Sequence, residues 1–287
     1  MGPFWEQAAC VRQAFQVTLG EYLVEMNMPS IVTLTTDFEE REPYVASAKG
    51  VLCSRCPGVH IVDLSHQIPR HNIPEAALFI AGAVPYFPKG TVHIVAVASG
   101  HLPIAVSLNE QFVICPDNGV ITLLAERYGV EETRSITNPD LLLSEGGQTY
   151  YARDVFAPAA ALLAGGAPLR EVGDPVENAT LLNLPKPERE GERLVSGRIV
   201  HVNRFGALVT NIHRSFLEGS SVKNVEVGQF LVGPLSETYA QVEPGRPVAL
   251  YGSAGYLEIA YNGDRADTRL NMGIGIIVNV AVEPKGA

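Results

Sequence analysis

Cationic side chains are scarce in this chain. Lys and Arg total 21 against 31 Asp and Glu, a formal net charge of −10. Phosphate-binding surfaces need clustered Lys and Arg, so no nucleic-acid partner is expected. Long apolar runs are also missing. None approaches the roughly 18 residues that span a bilayer, so no membrane partner is expected either. The stretch from Met1 to Met28 does not read as a signal peptide, because Glu6, Arg12 and Glu21 interrupt it. Four cysteines in 287 residues are too few for a disulfide scaffold. Cys53-Ser-Arg-Cys56 has the spacing of a redox or zinc half-site, yet no second pair completes a tetrahedral shell. No His-Cys-carboxylate spacing suggests a metal, and no P-loop or GxGxxG is present. A cytoplasmic location is the expectation.

What remains is an ordinary globular composition, 46% hydrophobic and 18% charged with 27 Gly and 20 Pro. Residues 1–28 form an N-terminal extension with a loose helical pattern. From 29 to 185, β-rich runs at 31–35, 60–62, 91–97, 104–106 and 111–114 alternate with helical stretches at 43–52, 74–84, 120–127 and 154–163. Such alternation predicts an α/β domain with a mostly parallel central sheet, since parallel strands need helical crossovers. The charged stretch 186–193 reads as a linker. Beyond it, from 194 to 287, short strands separated by Gly- and Pro-containing turns predict an all-β barrel domain.

Several places could hold chemistry. Asp37 follows the first strand, at the sheet edge where ligands bind in open parallel folds, and its carboxylate suits a ribose diol. Pro116-Asp117-Asn118-Gly119 reads as turn chemistry. Thr149-Tyr150-Tyr151-Ala152-Arg153-Asp154 precedes an apolar helix and offers a polar wall at its entrance, with the Arg-Asp pair read as a structural lock. Phe205-Gly206 and Thr238-Tyr239 place aromatic rings near barrel turns, either as packing or as a purine sandwich. His60, His93 and His201 fall in apolar strands and read as structural; His66 and His71 lie in a loop and His101 in a turn.

Several segments match one family in order: Thr33-Leu34-Thr35-Thr36-Asp37-Phe38, Ile61 through His66, Tyr86 through His93, Pro116 through Gly119, Thr149 through Pro158, and Arg204-Phe205-Gly206 with Thr210-Asn211-Ile212. The combination, from about residue 30 onward, resembles the S-adenosyl-L-methionine (SAM) hydroxide adenosyltransferases, the family that also holds the fluorinase and chlorinase. The resemblance implies an α/β domain followed by a β-barrel. It also implies a homotrimer with sites between neighbouring subunits. SAM is then a small-molecule substrate and not a cofactor, and water or hydroxide displaces L-methionine at C5′ to give adenosine. A halide-using enzyme and a non-catalytic adenine-nucleoside-binding trimer are the alternatives.

Residue by residue, the resemblance assigns Asp37 to the ribose, Phe205 and Tyr239 to adenine, and Asn262 with Gly263 to the adenine edge. Thr149, Tyr150 and Tyr151 fall beside C5′, and Ser253 and Asn203 on the methionine side. The reactive half departs from the family pattern. In the loop Val97-Ala98-Ser99-Gly100-His101, Ala98 stands at an Asp position and His101 near an Arg position, and the loop is about four residues shorter. Tyr151 replaces a His, Ala152 a Ser, Asn203 an Asp, Ala207 an Asn, and Ala254 the halogenase Arg. Tyr151, Thr149 and His101 are therefore the candidate catalytic set, with His101 as base or water-orienting group.

Overall fold

The computed structural model describes residues 30–39, 41–143 and 149–284. The helical pattern expected near the N-terminus lies outside them. The chain divides into two units, one ending at Leu182 and the other beginning at Asn183, and each is described by itself.

In the first unit the strands are β1 (Ile31–Thr36), β2 (His60–Ser65), β3 (Val92–Ala96), β4 (Pro103–Leu108), β5 (Gln111–Pro116) and β6 (Glu132–Ser135). They form one sheet in the order β2-β1-β3-β5-β4-β6. The β2-β1, β1-β3 and β3-β5 pairs are parallel, while β4 runs antiparallel to β5 and β6. The antiparallel edge follows from chain length: only two residues, Asn109 and Glu110, join β4 to β5, which suffices for a hairpin but not a crossover.

Four helices cover the sheet: α1 (Tyr44–Arg55), α2 (Ile73–Ala83), α3 (Thr122–Tyr128) and α4 (Ala157–Ala164). Side chains alternate across the sheet, as strand geometry requires. Val92, Ile94 and Ala96 join Leu52 and the alanines of α4 in one cluster; Val95 and Val97 join Ile80, Ile121 and Leu124 in the other. The start of α2 is fixed locally, where the Asn72 side chain accepts from the Glu75 N–H at 3.2 Å and its amide donates to the Glu75 carboxylate at 2.9 Å, an N-cap reinforced by a side-chain pair.

The helix expected at 154–163 has a different origin. A wide π-type turn spans Ala152–Phe156, and regular helix begins only at Ala157. Pro158 explains the change. It has no N–H to bond the Asp154 carbonyl four residues back, and the Leu143 N–H takes that carbonyl instead at 3.3 Å.

The second unit contains β7 (Glu188–Glu190), β8 (Leu194–Val202), β9 (Leu208–His213), β10 (Ser220–Val227), β11 (Phe230–Gly233), β12 (Pro247–Tyr251), β13 (Tyr256–Tyr261), the short helix α5 (Ala266–Leu270) and β14 (Ile277–Pro284). The sheet order is β11-β10-β14-β8-β9-β13-β12. A bridge from Leu235 to Ala249 joins the two ends into a nearly closed barrel. Val195, Ile199, Leu208, Ile212, Leu257, Ile259, Val278 and Val280 fill its interior. The stretch 186–193 is not purely a linker: β7 pairs antiparallel with β8, Arg189 opposite Val195. Its three residues are exposed, so the charges stay in water while the backbone pairs, a usual device for a sheet edge. Among the described residues no helix is long and apolar enough to cross a membrane.

Candidate functional site

In the first unit the site is built on the reversal of strand order. β1 lies between β2 and β3, and successive connections leave it in opposite directions, which opens a crevice at the carboxyl ends of β1 and β3. Asp37, the residue after β1, sits there. Its Oδ2 accepts the His71 N–H at 3.0 Å and the Ala98 N–H at 3.4 Å. Both donors have positive φ, +59° and +52°. This left-handed backbone is uncommon for residues other than Gly and is costly to hold without support.

For Ala98 the support comes from Asn118. Its amide donates to the carbonyls of Val97 at 3.0 Å and Ala98 at 3.4 Å, and its Oδ1 accepts from Val120 at 3.1 Å. The Asp117 N–H bonds the Leu102 carbonyl at 2.8 Å, so the shortened 97–102 loop is tied at both ends to the turn 116–120. The sequence presented Asn118 only as good turn chemistry. Its side-chain amide also anchors a loop from another strand.

A second brace holds the other side of Asp37. Thr36 Oγ1 and His66 Nδ1 share a hydrogen bond at 3.1 Å, His66 Nε2 lies 3.0 Å from Asp63 Oδ1, and Lys49 Nζ lies 2.5 Å from Asp63 Oδ2. Burial works to raise the Asp63 pKa, but hydrogen bonds from Lys49 and His66 outweigh it and hold the carboxyl below its ordinary value. The Glu39 N–H bonds the His66 carbonyl at 2.8 Å. His66, read from sequence as a loop residue, is buried.

Phe38 carries the connection to the polar wall. Its ring lies 5.9 Å from Tyr150 and 5.8 Å from Tyr44, both edge-on, and Tyr44 and Tyr150 are 5.1 Å apart. The Tyr150 hydroxyl donates to the Tyr44 carbonyl. The Arg153 guanidinium covers the Tyr150 ring at 5.2 Å and chelates Asp154 at 2.6 and 3.0 Å, the structural lock that the sequence predicts. Tyr151 is half-buried against Phe156 at 6.2 Å. Thr149 and His101 are exposed. Tyr150 thus serves chiefly to pack the wall onto the Asp37 segment, leaving Thr149 and Tyr151 as its accessible polar groups.

The second unit supplies a cavity of about 650 Å³ whose lining includes Phe205, Tyr239, Tyr261, Gly263 and Arg265. Three residues expected at adenine, Phe205, Tyr239 and Gly263, therefore meet. Phe205 is 83% and Tyr239 44% exposed, so both rings are accessible to a ligand in the cavity. Asn203 shapes the Phe205 turn: its Oδ1 accepts from the N–H groups of Phe205 and Ala207, each at 3.0 Å. Gly206 in that turn has φ +81°, and a Cβ there would lie 2.7 Å from Arg265 and Asp267 side-chain atoms. Asn262 does not line the cavity; its amide holds the Val242 carbonyl at 2.7 Å, and its own carbonyl accepts from Gly245 at 2.7 Å. Ser253 is exposed in the turn between β12 and β13. Glu258, which no sequence motif marks, accepts from the Tyr239 hydroxyl at 3.3 Å.

No group of three or more metal-binding side chains occurs among the described residues. Cys53, Cys56 and Cys115 are free thiols.

Comparison with known proteins covers both units. The family described as SAM hydroxide adenosyltransferase N-terminal domain matches residues 32–173, and the corresponding C-terminal domain matches residues 197–279. An (R)-S-adenosyl-L-methionine hydrolase of Thermus thermophilus is 36% identical over 261 residues, 87% of this chain and 98% of that protein. A fluorinase of Actinoplanes sp. is 30% identical over 288 residues, 87% of this chain and 97% of that one. The crystal structure of an uncharacterized conserved protein from Thermotoga maritima superposes with a TM-score of 0.80 at 34% identity, covering 87% of this chain and 99% of that one.

Proposed function

The chain belongs to the SAM hydroxide adenosyltransferase family, and on that premise we infer that it hydrolyses SAM to adenosine and L-methionine. The observation that carries the reading is the match to a SAM hydrolase through both units. The fluorinase relative is less similar.

In the reaction, a water oxygen bonds to C5′ while the C5′–sulfur bond breaks. The electron pair goes to sulfur, methionine leaves as a neutral thioether, and the water proton passes to a base or to solvent. The sulfonium is already a good leaving group, so the protein mainly positions the reactants in line and keeps competing water away. We assign no cofactor or metal; SAM is the substrate.

The roles divide between the units. Asp37 takes the ribose hydroxyls with the carboxylate oxygen that the His71 and Ala98 N–H groups leave open. Phe205 and Tyr239 clamp adenine, with Gly263 at its edge. Thr149 and Tyr151 line the C5′ face, and His101 orients the water and takes its proton. Asn203, Asn262 and Tyr150 act through the backbone and rings they hold in place. Ser253 meets the amino-acid end.

We place the complete site between the first unit of one protomer and the second unit of its neighbour in a homotrimer. This is supported by the division of the nucleoside-binding residues, with the acid in one unit and the exposed rings in the other. The sparse cysteines, unpaired among the described residues, fit a reducing cytoplasm.

The test is to incubate purified protein with SAM and follow adenosine and methionine by chromatography. Equimolar release above a heat-killed control is expected; none at any pH overturns the reading. A 5′-halo-5′-deoxyadenosine peak in chloride or fluoride buffer would replace water with halide as nucleophile. Thermal stabilisation by adenosine without turnover of SAM would leave a binding protein. Light scattering should give three times the monomer mass, and a monomer would rule out the shared site.

A further inference from the structure

Glu258 is an acid in an unfavourable place. It lies on β13 directly opposite Leu250 of β12 and Val209 of β9, both buried. Burial pushes its pKa up, partly offset by the hydrogen bond from Tyr239. The acids around the neighbouring cavity have cations: Asp264 pairs with Arg269 at 2.6 Å and Asp267 with Arg265 at 2.7 Å. Among the described residues Glu258 has the Tyr239 hydroxyl and no Lys or Arg. A half-buried carboxylate without a cation is costly, so something besides stability must keep it.

Two elements of the proposed site hold its carboxylate in place. A Cβ added to Gly252 would lie 1.8 Å from Glu258 Oε1 and 2.4 Å from its Cδ. The carboxylate therefore fills the space that any side chain at 252 would occupy, in the turn that carries Ser253. On its other side it meets the hydroxyl of Tyr239. It stands between the ring proposed to hold adenine and the serine proposed to meet the amino acid.

We propose that Glu258 is the substrate-binding residue for the α-ammonium group of SAM, an inference that rests on the hydrolase reading. SAM offers two positive groups, and their chemistry separates them. The sulfonium has no hydrogen to donate and loses its charge as methionine departs. An anion beside it would stabilise the ground state more than the transition state and slow the reaction. The α-ammonium donates up to three hydrogen bonds and keeps its charge throughout, so binding it to Glu258 leaves the barrier unchanged while fixing the leaving group. Asn203, also on the expected methionine side, is neutral and already uses its carbonyl oxygen on the backbone. The specific charge contact thus falls to Glu258.

The experiment measures calorimetric Kd values for SAM, adenosine and 5′-methylthioadenosine on the full chain, with Glu258→Gln and Gly252→Ala beside wild type. The last two probes keep the nucleoside but lack the ammonium. Glu258→Gln should weaken SAM by 10- to 100-fold and leave both neutral probes within twofold, which also certifies the fold of the variant. Gly252→Ala, whose methyl displaces the carboxylate, should give the same selective loss. In turnover, KM should rise while kcat stays within about threefold. Equal losses for all three ligands would place Glu258 at adenine through Tyr239, and a rise in kcat would place it at the sulfonium; either overturns the proposal, as does unchanged SAM affinity. If wild type binds SAM without releasing adenosine, the hydrolase reading fails, yet the binding series still decides the role of Glu258.

Discussion

The backbone N–H of His71 donates to Oδ2 of Asp37 at 3.0 Å, from a residue held at φ +59°. The loop after β2 thereby fixes the acid at the end of β1, and the second carboxylate oxygen has no partner among the described residues. A ribose diol would add two hydrogen bonds to a charged acceptor, each contributing roughly 1.5–3 kcal/mol. Asp37→Ala is accordingly expected to weaken adenosine at least 100-fold by calorimetry. Affinity within threefold of wild type would mean that the diol is held elsewhere.

Phe205 and Tyr239 can be separated from the folding core by their exposure. Stacking of a base on an aromatic ring is worth about 1–3 kcal/mol, so Phe205→Ala should raise the adenosine Kd by 5- to 150-fold. With the ring 83% exposed, the urea midpoint should barely move, since exposed substitutions usually lie within about 0.5 kcal/mol. A large stability loss with unchanged binding would identify Phe205 as a packing residue.

Asn118 should couple stability to binding. Asn118→Ala removes its bonds to the Val97 and Ala98 carbonyls in a buried setting, which costs about 1–3 kcal/mol. It also frees the Ala98 N–H from its place beside Asp37. Both the unfolding free energy and the adenosine affinity are expected to fall. Asn118→Asp should be no better, because a carboxylate cannot donate to those carbonyls.

His93 sets an acid limit on stability. Burial pushes its pKa down from 6.5 to about 4, partly countered by the side chain of Gln111 beside it. The unfolded chain therefore takes up a proton that the folded chain refuses between those values. The contribution is complete above pH 6.5 and is lost as the pH falls toward 4, at up to about 1.4 kcal/mol per pH unit. Urea titrations at pH 7 and pH 5 should differ accordingly, and His93→Gln should flatten the difference. An unchanged slope in that variant would assign the acid sensitivity to other groups.

Much of the first unit was legible because its strands have strong local signals. The run at 31–35 became β1 with one residue added, and the alternation in 91–97 divides its side chains between two cores. The π-type turn at 152–156 was less legible. Pro158 is visible in the sequence, but its consequence depends on Leu143 being near enough to take the abandoned carbonyl. Asn118 and Glu258 were missed for related reasons. Asn-Gly reads as a turn wherever it occurs, and one acid among Leu257 and Ile259 reads as the solvent face of a strand. The backbone donors at His71 and Ala98 have no side-chain signature at all.

Residue order alone determined the two-unit architecture, the family and the positions of the acid and the rings. These depend on strand and helix periodicity and on motifs that lie within a few residues of one another. Only the tertiary structure decided which oxygen of Asp37 remains open, which amide holds the loop beside it, and which carboxylate lacks a cation. Each of those depends on a contact between segments distant in the chain, such as the 61 residues between Asp37 and Ala98. Periodicity within a segment contains no information about such distances.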